Sequence, residues 1–417
     1  MLAHSPGSFL ALHWCNLRNY QVRFRSELPL AVELLQRAVN IRALYLPYGI
    51  LFEDNGVAQA VSSLTRLEDL SIYGPANGAT DYILANLQSP IAEICIFFAE
   101  EDARDVVLPF RNFRNTLEQM TLSNVQFLST EFTYPRIVFL ELQNCDRPPL
   151  SILATAFPNV ETLVLETKEY RWEEIDDIEQ LEDLRNENLA YQEGRMCWTS
   201  LRAVTADLVA LYAMGLKNPL QFLEIELILE LLPTHVELLR TVISTMETKT
   251  LLLALPGTPS TPSALFELFR DGLAAPLVLL KLILLFDLRL DPEESLDNLI
   301  EGIASLNTII FHLSLRNMGR GANDDLHPGT EFFSRLDDET LVNRIGASMQ
   351  KVEFICLDIE DRNKSEWKYV ESTAGSKWVN VTSEQAVMRD KRIVLPSHTG
   401  WTCSSHPELM DPSLRRL

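Results

Sequence analysis

The stretch Ile41–Phe98 reads IRALYLPYGILFEDNGVAQAVSSLTRLEDLSIYGPANGATDYILANLQSPIAEICIFF, and one short figure occurs in it three times. The figure is apolar-x-x-apolar-x-apolar. Its copies are Ile41/Leu44/Leu46 in IRALYL, Leu67/Leu70/Ile72 in LEDLSI and Ile91/Ile94/Ile96 in IAEICI. An apolar-x-apolar core is the signature of a short strand with one buried face, because successive side chains point to opposite sides. One such strand cannot bury its apolar face alone, so neighbouring copies must stack strand beside strand.

Outward from this stretch the figure continues. It returns at Leu117/Met120/Leu122, Ile137/Leu140/Leu142 and Val160/Leu163/Leu165. Later copies are Leu220/Leu223/Ile225, Leu277/Leu280/Leu282, Ile310/Leu313/Leu315 and Val352/Ile355/Leu357. Weaker copies sit at Leu201/Val204 and Leu251/Leu253/Leu255. The first six starts are 26, 24, 26, 20 and 23 residues apart, and the eleven steps from Ile41 to Val352 average about 28. That period matches the leucine-rich repeat, in which each unit is a strand followed by a helical or irregular return. Helix-compatible stretches lie between the strands at Leu30–Ala38, Gly56–Leu64, Asp81–Leu87 and Leu296–Ala304. The expected fold is therefore an α/β leucine-rich-repeat solenoid of about 11–13 irregular repeats. A curved parallel sheet would line its concave side, with helices on the convex side. An Asn or Cys is expected at the turn, three residues beyond the last core position. Cys145 has that offset from Leu142, and Cys15 has it from Leu12, which suggests a degenerate first repeat near residue 10.

Residues 1–370 are read as the array and residues 371–417 as a C-terminal cap with a partly disordered tail, since a solenoid must close its exposed apolar end. Three inserts interrupt the spacing. Residues 166–194 carry eleven Asp/Glu against three Lys/Arg, with Ile175, Ile178, Leu181 and Leu184 at steps of three that suit a helix. This segment reads as a solvated insertion, or more sharply as an acidic arm for a basic partner. Residues 254–264 form a Pro/Ser/Thr loop and residues 316–333 a turn-rich insert.

Composition narrows the function. The 417 residues hold 36 Lys+Arg and 58 Asp+Glu, a formal charge of −22. That balance argues against nucleic acid and against an anionic membrane surface, both of which need a basic face. The densest apolar run, Pro276–Leu290, is broken by Lys281 and Asp287 and is too short to span a bilayer. The opening MLAHSPGSFLALHWCN lacks a basic region followed by an apolar one, so the expected location is cytoplasmic or nuclear. Six cysteines without a CxxC pair signal neither a zinc site nor a disulfide framework. The sequons at Asn363 and Asn380 are read as chance matches.

Catalytic motifs are absent: there is no GxxxxGK[ST], GxSxG, HExxH or GxGxxG. The seven histidines are scattered, and His398/Cys403 is a weak pairing in the tail. The pairs Glu173/Glu174, Asp176/Asp177 and Asp324/Asp325 lie in polar inserts, where a solvated role is expected rather than the opposed environments of acid–base work. No cofactor, metal or enzymatic activity is expected. The alternative carried beside this is a hydrolase with a site hidden in 166–194 or 316–333.

What the array offers is a surface. The x positions flanking each core project from the concave face, where solenoids bind partners. Candidate partner-binding residues there are Tyr45, Tyr73, Phe97, Phe139, Glu141, Phe222, Glu224, Lys281, His312, Arg316 and Phe354. Recurring aromatics with polar neighbours supply contact area at low entropic cost.

The irregular repeats, the turn cysteine, the acidic character and the segment LRNYQVRFRSELPLAVELLQRAVNIRALYLP (Leu17–Pro47) resemble the fungal, basidiomycete-type F-box/leucine-rich-repeat proteins. The resemblance implies a substrate receptor of a Skp–cullin–F-box ubiquitin ligase, with a protein partner or ubiquitination substrate on the concave face. Leu28-Pro29 echoes the opening of an F-box, but the strand IRALYLP follows too soon for a three-helix box. A Skp-type adaptor is therefore implied only if an F-box exists outside this chain.

Overall fold

A computed structural model describes residues 14–16, 28–46, 55–74, 78–98, 104–105, 109–126, 130–145, 149–167, 178–194, 197–225, 233–256, 268, 277–286, 291–304, 306–317, 328–349, 351–372 and 375–381. They form two compact units, divided between Val125 and Gln126. The protein is a mixed α/β chain; within each unit the strands of the main sheet lie side by side in chain order, almost all parallel.

The first unit contains β1 (Trp14–Asn16), β2 (Ala43–Leu46), β3 (Asp69–Gly74), β4 (Glu93–Phe98) and β5 (Gln119–Ser123), each parallel to its predecessor. Helices α1 (Leu28–Arg37), α2 (Asn55–Ser62) and α3 (Gly78–Asn86) return the chain between the strands, and a 3-10 turn at Pro109–Phe113 makes the fourth crossover. Three of the helices expected from sequence thus occur, their bounds shifted by one to three residues.

The second unit runs β6 (Phe139–Cys145), β7 (Thr162–Thr167), β8 (Ala203–Ala206), β9 (Leu220–Ile225), β10 (Thr248–Pro256), β11 (Leu279–Phe286), β12 (Ile310–Asn317) and β13 (Phe354–Ile359), all parallel. Its crossovers carry α4 (Leu150–Ala156), α5 (Ile178–Tyr191), α6 (Leu208–Met214), α7 (Pro233–Thr245), α8 (Pro292–Gly302), α9 (Pro328–Arg335) and α10 (Asp338–Ser348). Local chemistry starts these helices where the sequence says it should. Asp207 caps α6 by accepting from Ala210 N at 2.8 Å, and Asp337 caps α10 through Thr340 N at 2.8 Å. Asp291 caps α8 ahead of Pro292, with Glu293 and Glu294 complementing the positive end of the helix. Gly215 ends α6 at φ 54°, and a Cβ there would press on Leu189 of α5 at 3.1 Å, so both backbone and packing call for glycine.

The register explains the core. Leu44, Leu70, Ile94 and Met120 are paired across β2–β5 and each is at most 2% exposed. In the second unit the same place is held by Leu140, Leu163, Val204, Leu223, Leu251, Leu280, Phe311 and Ile355, all at 0%. These residues and the buried faces of the helices make the core, so the alternate strand positions form a helix-free face. Burial of one such aliphatic side chain is worth about 1.5–3 kcal/mol.

Two repeats are framed differently from the sequence reading. Pairing puts Phe311 and Leu313, rather than Leu313 and Leu315, opposite Leu280 and Leu282. The leading position then falls on Thr308, and in β10 it falls on Thr248. Both threonines are buried, and each hydroxyl donates to the carbonyl two residues on, at 3.1 and 2.9 Å. A threonine so satisfied substitutes for leucine, and an apolar search passes over it. Cys15 is corrected likewise. It pairs with Leu44, a strand-core position, so it is not a turn residue counted from Leu12. Cys145 does end its strand, buried, with Sγ donating to Gln143 O at 3.1 Å.

The inserts resolve unevenly. Much of the acidic segment is the crossover helix α5, and its polar side holds it down. Asn188 is 2% exposed; it accepts from Leu150 N and donates to Ala213 O, both at 2.9 Å. Arg185 donates to Tyr212 O and stacks 4.5 Å from the Tyr212 ring centroid, while Gln192 Nε2 donates to Gly215 O at 3.0 Å. Leu181 is buried against Val209 and Ala213, as the three-residue steps suggested. Ile175, with the rest of residues 168–177, lies outside the described residues. So do residues 257–264 and 318–327, whereas residues 254–256 complete β10 and residues 328–333 belong to α9.

The expected boundary at 370/371 falls inside β14 (Ser365–Ser372), which pairs antiparallel with β13 and then with β15 (Gly375–Asn380). This hairpin covers the edge of β13, which would otherwise offer unpaired backbone groups.

Candidate protein-binding faces

On the helix-free face of the first unit, Tyr45, Tyr73 and Phe97 converge. The Tyr45–Tyr73 centroids are 4.9 Å apart and tilted by 35°; Tyr73 and Phe97 stack at 4.4 Å and 17°. Tyr73 and Phe97 are register partners on β3 and β4, whose spacing of about 4.8 Å sets the stack. All three rings are half-buried, leaving an aromatic platform with part of its surface open.

Four residues earlier on β3 and β4, Asp69 and Glu93 face each other in register. Burial, and then the Glu93 charge, raise the Asp69 carboxyl from 3.8 to about 6. Burial raises Glu93 as well. Neither makes an ion pair among the described residues. A carboxyl whose folded pKa exceeds its unfolded value binds its proton more tightly in the fold. Its contribution is complete below about pH 4 and is lost as the pH rises through about 6. Asp69→Asn is therefore expected to raise the melting temperature at pH 7.5 and to flatten the fall in stability between pH 4 and 6. Thermal unfolding of both proteins across that range checks this; a variant with the wild-type slope would contradict it.

On the second unit the face is apolar in its middle, with Val164, Leu252 and Leu279, and ionic toward β13. Lys281, His312 and Cys356 are paired across β11, β12 and β13, and Cys356 faces Glu366 on β14. Arg316 donates from Nη2 to Asp358 Oδ2 at 2.7 Å and from Nη1 to Asp358 O at 2.8 Å. Burial pushes the Asp358 carboxyl up, but the Arg316 hydrogen bond and charge, with His312 and Lys281, hold it below its ordinary value. Burial drives His312 down to about 3, helped by Lys281, Lys364 and Arg316 against Asp358. Burial pushes the Cys356 thiol up to about 12, so it is not poised as a thiolate. Beside this cluster lies a polar cleft of about 670 Å³, lined by Asp338, Arg362, Lys364, Ser365 and Glu366 among others.

All eleven sequence-derived face residues stand on the helix-free side. Their exposure differs from expectation. Tyr45, Tyr73, Phe97, Phe139, Glu224, Lys281, Arg316 and Phe354 keep part of their surface, but Glu141, Phe222 and His312 are buried at 5%, 6% and 8%. A strand flanked on both sides shields even its outward side chains. Glu141 accepts from Gln143 Nε2 at 2.7 Å, and Glu224 accepts from Thr205 at 3.3 Å. Phe354 lies 5.5 Å from Lys368 Nζ, its register partner. Asp69 and Glu93 are outward positions in the repeat figure, but only the structure shows that they face each other. Lys364 and Glu366 follow the last repeat figure and carried no signal. Glu173, Glu174, Asp176, Asp177, Asp324, Asp325, His398 and Cys403 lie outside the described residues.

Among the described residues, no helix is long and apolar enough to cross a membrane, and no three His, Cys, Asp or Glu side chains gather as a metal-ligand set. No protein-family model and no curated protein matches the chain.

Proposed function

We propose that this chain is a leucine-rich-repeat scaffold that binds a partner protein through the helix-free face of its sheets. The observation that carries the reading is the Tyr45–Tyr73–Phe97 stack, three half-buried aromatics held on the side opposite the helices. Rigid aromatic rings there can bury area on a partner while losing little side-chain freedom. The repeat reading is supported by the chain-order parallel strands and by the buried leucine-type triplets that recur through both units. In the receptor role that the resemblance implies, the partner is a ubiquitination substrate, and a Skp-type adaptor joins through an F-box outside this chain.

Affinity capture with the tagged full chain, compared with its Tyr73→Ser/Phe97→Ser variant, tests the reading. The partner recovered by the wild type is expected to fall at least about tenfold with the variant, while circular dichroism is unchanged. Equal recovery would remove the face from the account. A Skp-type adaptor among the captured proteins would support the ligase role, and its absence would leave a plain scaffold.

A further inference from the structure

We infer that the helix-free face of the second unit holds a site for an oxyanion, built by Lys281, His312, Arg316 and Lys364, that receives an acidic or phosphorylated peptide segment of the partner protein. The inference rests on the scaffold reading and makes it specific.

Register places Lys281 beside His312 on adjoining strands, and Arg316 lies four residues along from His312 on the same strand and face. Among the described residues three cations meet the carboxylates of Asp358 and Glu366 here, and the nearby Glu360 carboxylate accepts from Asn317 N. Arg316 is matched by Asp358 at 2.7 Å and Lys364 by Glu366 at 3.3 Å. Lys281 is half-buried and makes no ion pair among the described residues. Around Lys281 the balance among the described residues is thus positive, on a chain whose formal charge is −22. Beyond about 8 Å at physiological salt the distant carboxylates are screened, so the local excess decides what docks. The apolar neighbours Leu252, Leu279 and Ile283 limit water around Lys281, which strengthens any charge pair formed there.

His312 supplies the second, independent observation. It is 8% exposed, and its Nε2 is shut off from solvent with no hydrogen-bond partner. Buried polar atoms are almost always paired in native folds. An oxyanion seated beside Lys281 would supply the missing counter-charge and draw an imidazole N–H outward to pair with it. Phosphoryl and carboxylate groups share this chemistry, and a peptide carries either. The groups bearing on the imidazole are Lys281 from β11, Arg316 from β12, Cys356 and Asp358 from β13, Lys364 from the following turn and Glu366 from β14. Adding an anion among them opposes the three cations, so occupancy must raise the His312 pKa from its value of about 3.

The test uses the full chain and three short fluorescent peptides: one glutamate-rich, one carrying phosphoserines and one neutral, with glutamine and serine instead. Anisotropy is read at roughly 50 and 150 mM salt, together with the ring resonances of ¹³C-labelled histidine. At least one anionic peptide is expected to bind about tenfold or more tighter than the neutral one, more weakly at the higher salt. Lys281→Glu is expected to lose that binding and Lys281→Gln part of it, whereas Lys217→Glu, at an exposed lysine of the same unit, changes nothing. The His312 titration is expected to move upward with the bound peptide. Which anionic peptide binds distinguishes carboxylate from phosphoryl recognition. Equal binding of all three peptides, equal losses in Lys281→Glu and Lys217→Glu, or an unmoved His312 resonance would overturn the inference. If that happens while the Tyr73→Ser/Phe97→Ser variant still loses its partner, the oxyanion site falls and the scaffold stands.

Discussion

Trp198→Ala is expected to destabilise the second unit by about 3–5 kcal/mol, the range for emptying a fully buried tryptophan site. Trp198 is 0% exposed and sits just before β8. Its Nε1 donates to Phe157 O at 2.7 Å, and its own carbonyl accepts from Asn218 Nδ2. One residue therefore ties together the return segments of three successive strands. Alanine removes the ring and the Nε1–H that the Phe157 carbonyl accepts, and the loss of such a hydrogen bond alone costs about 0.5–1.5 kcal/mol. Urea unfolding should show a lower midpoint with an unchanged slope. Trp198→Phe keeps most of the volume and should lose mainly the hydrogen-bond share. If the phenylalanine variant were as unstable as the alanine variant, the bond to Phe157 rather than packing would dominate. If neither moved the midpoint, the side chain would not be buried as described.

Arg362→Ala is expected to cost about 2–5 kcal/mol, because it removes a part-buried cation and strands its partners. The guanidinium donates to Leu336 O at 2.6 Å, to Phe333 O at 3.1 Å and to Asp338 Oδ1 at 2.5 Å. The two carbonyls lie at the end of α9, where a helix has no internal donors left. Asp338 in turn accepts from Ser365 at 2.7 Å, and Ser365 accepts from Trp367 Nε1 at 3.2 Å. The network thus joins α9, α10 and the first strand of the closing hairpin. Arg362→Lys should not restore stability, since one ammonium cannot span the fork. The readout is the unfolding midpoint, with hydrogen exchange in β14 and β15 expected to rise first. A lysine variant of wild-type stability would show that charge alone suffices.

The fold was legible where physics writes a period. Leu44, Leu70 and Ile94 recur at the repeat spacing because each must pack inward between its neighbours, and the pairing confirms their common place. The reading slipped at Thr248 and Thr308, where a hydroxyl that satisfies itself on its own strand stands in for leucine. It slipped at Cys15, where one small strand residue carries no periodic information. The closing hairpin was invisible for another reason: Trp367 and Trp378 belong to an antiparallel turn-back that shares no figure with the repeats. The side of each face residue followed from alternation alone, so Tyr73, Phe97 and Lys281 could be placed from sequence. Their surroundings could not. The Asp69–Glu93 opposition depends on register, and the company of His312 comes from Asp358 and Lys364, 46 and 52 residues further along the chain.

The most direct measurement is hydroxyl-radical footprinting of the complex with the captured partner against the free chain. Tyr45, Tyr73 and Phe97 are expected to lose reactivity on binding, while Tyr82, 43% exposed on α3, keeps it. Protection of Tyr82 with unchanged Tyr73 and Phe97 would contradict the account, because the partner would then be held by the helical side.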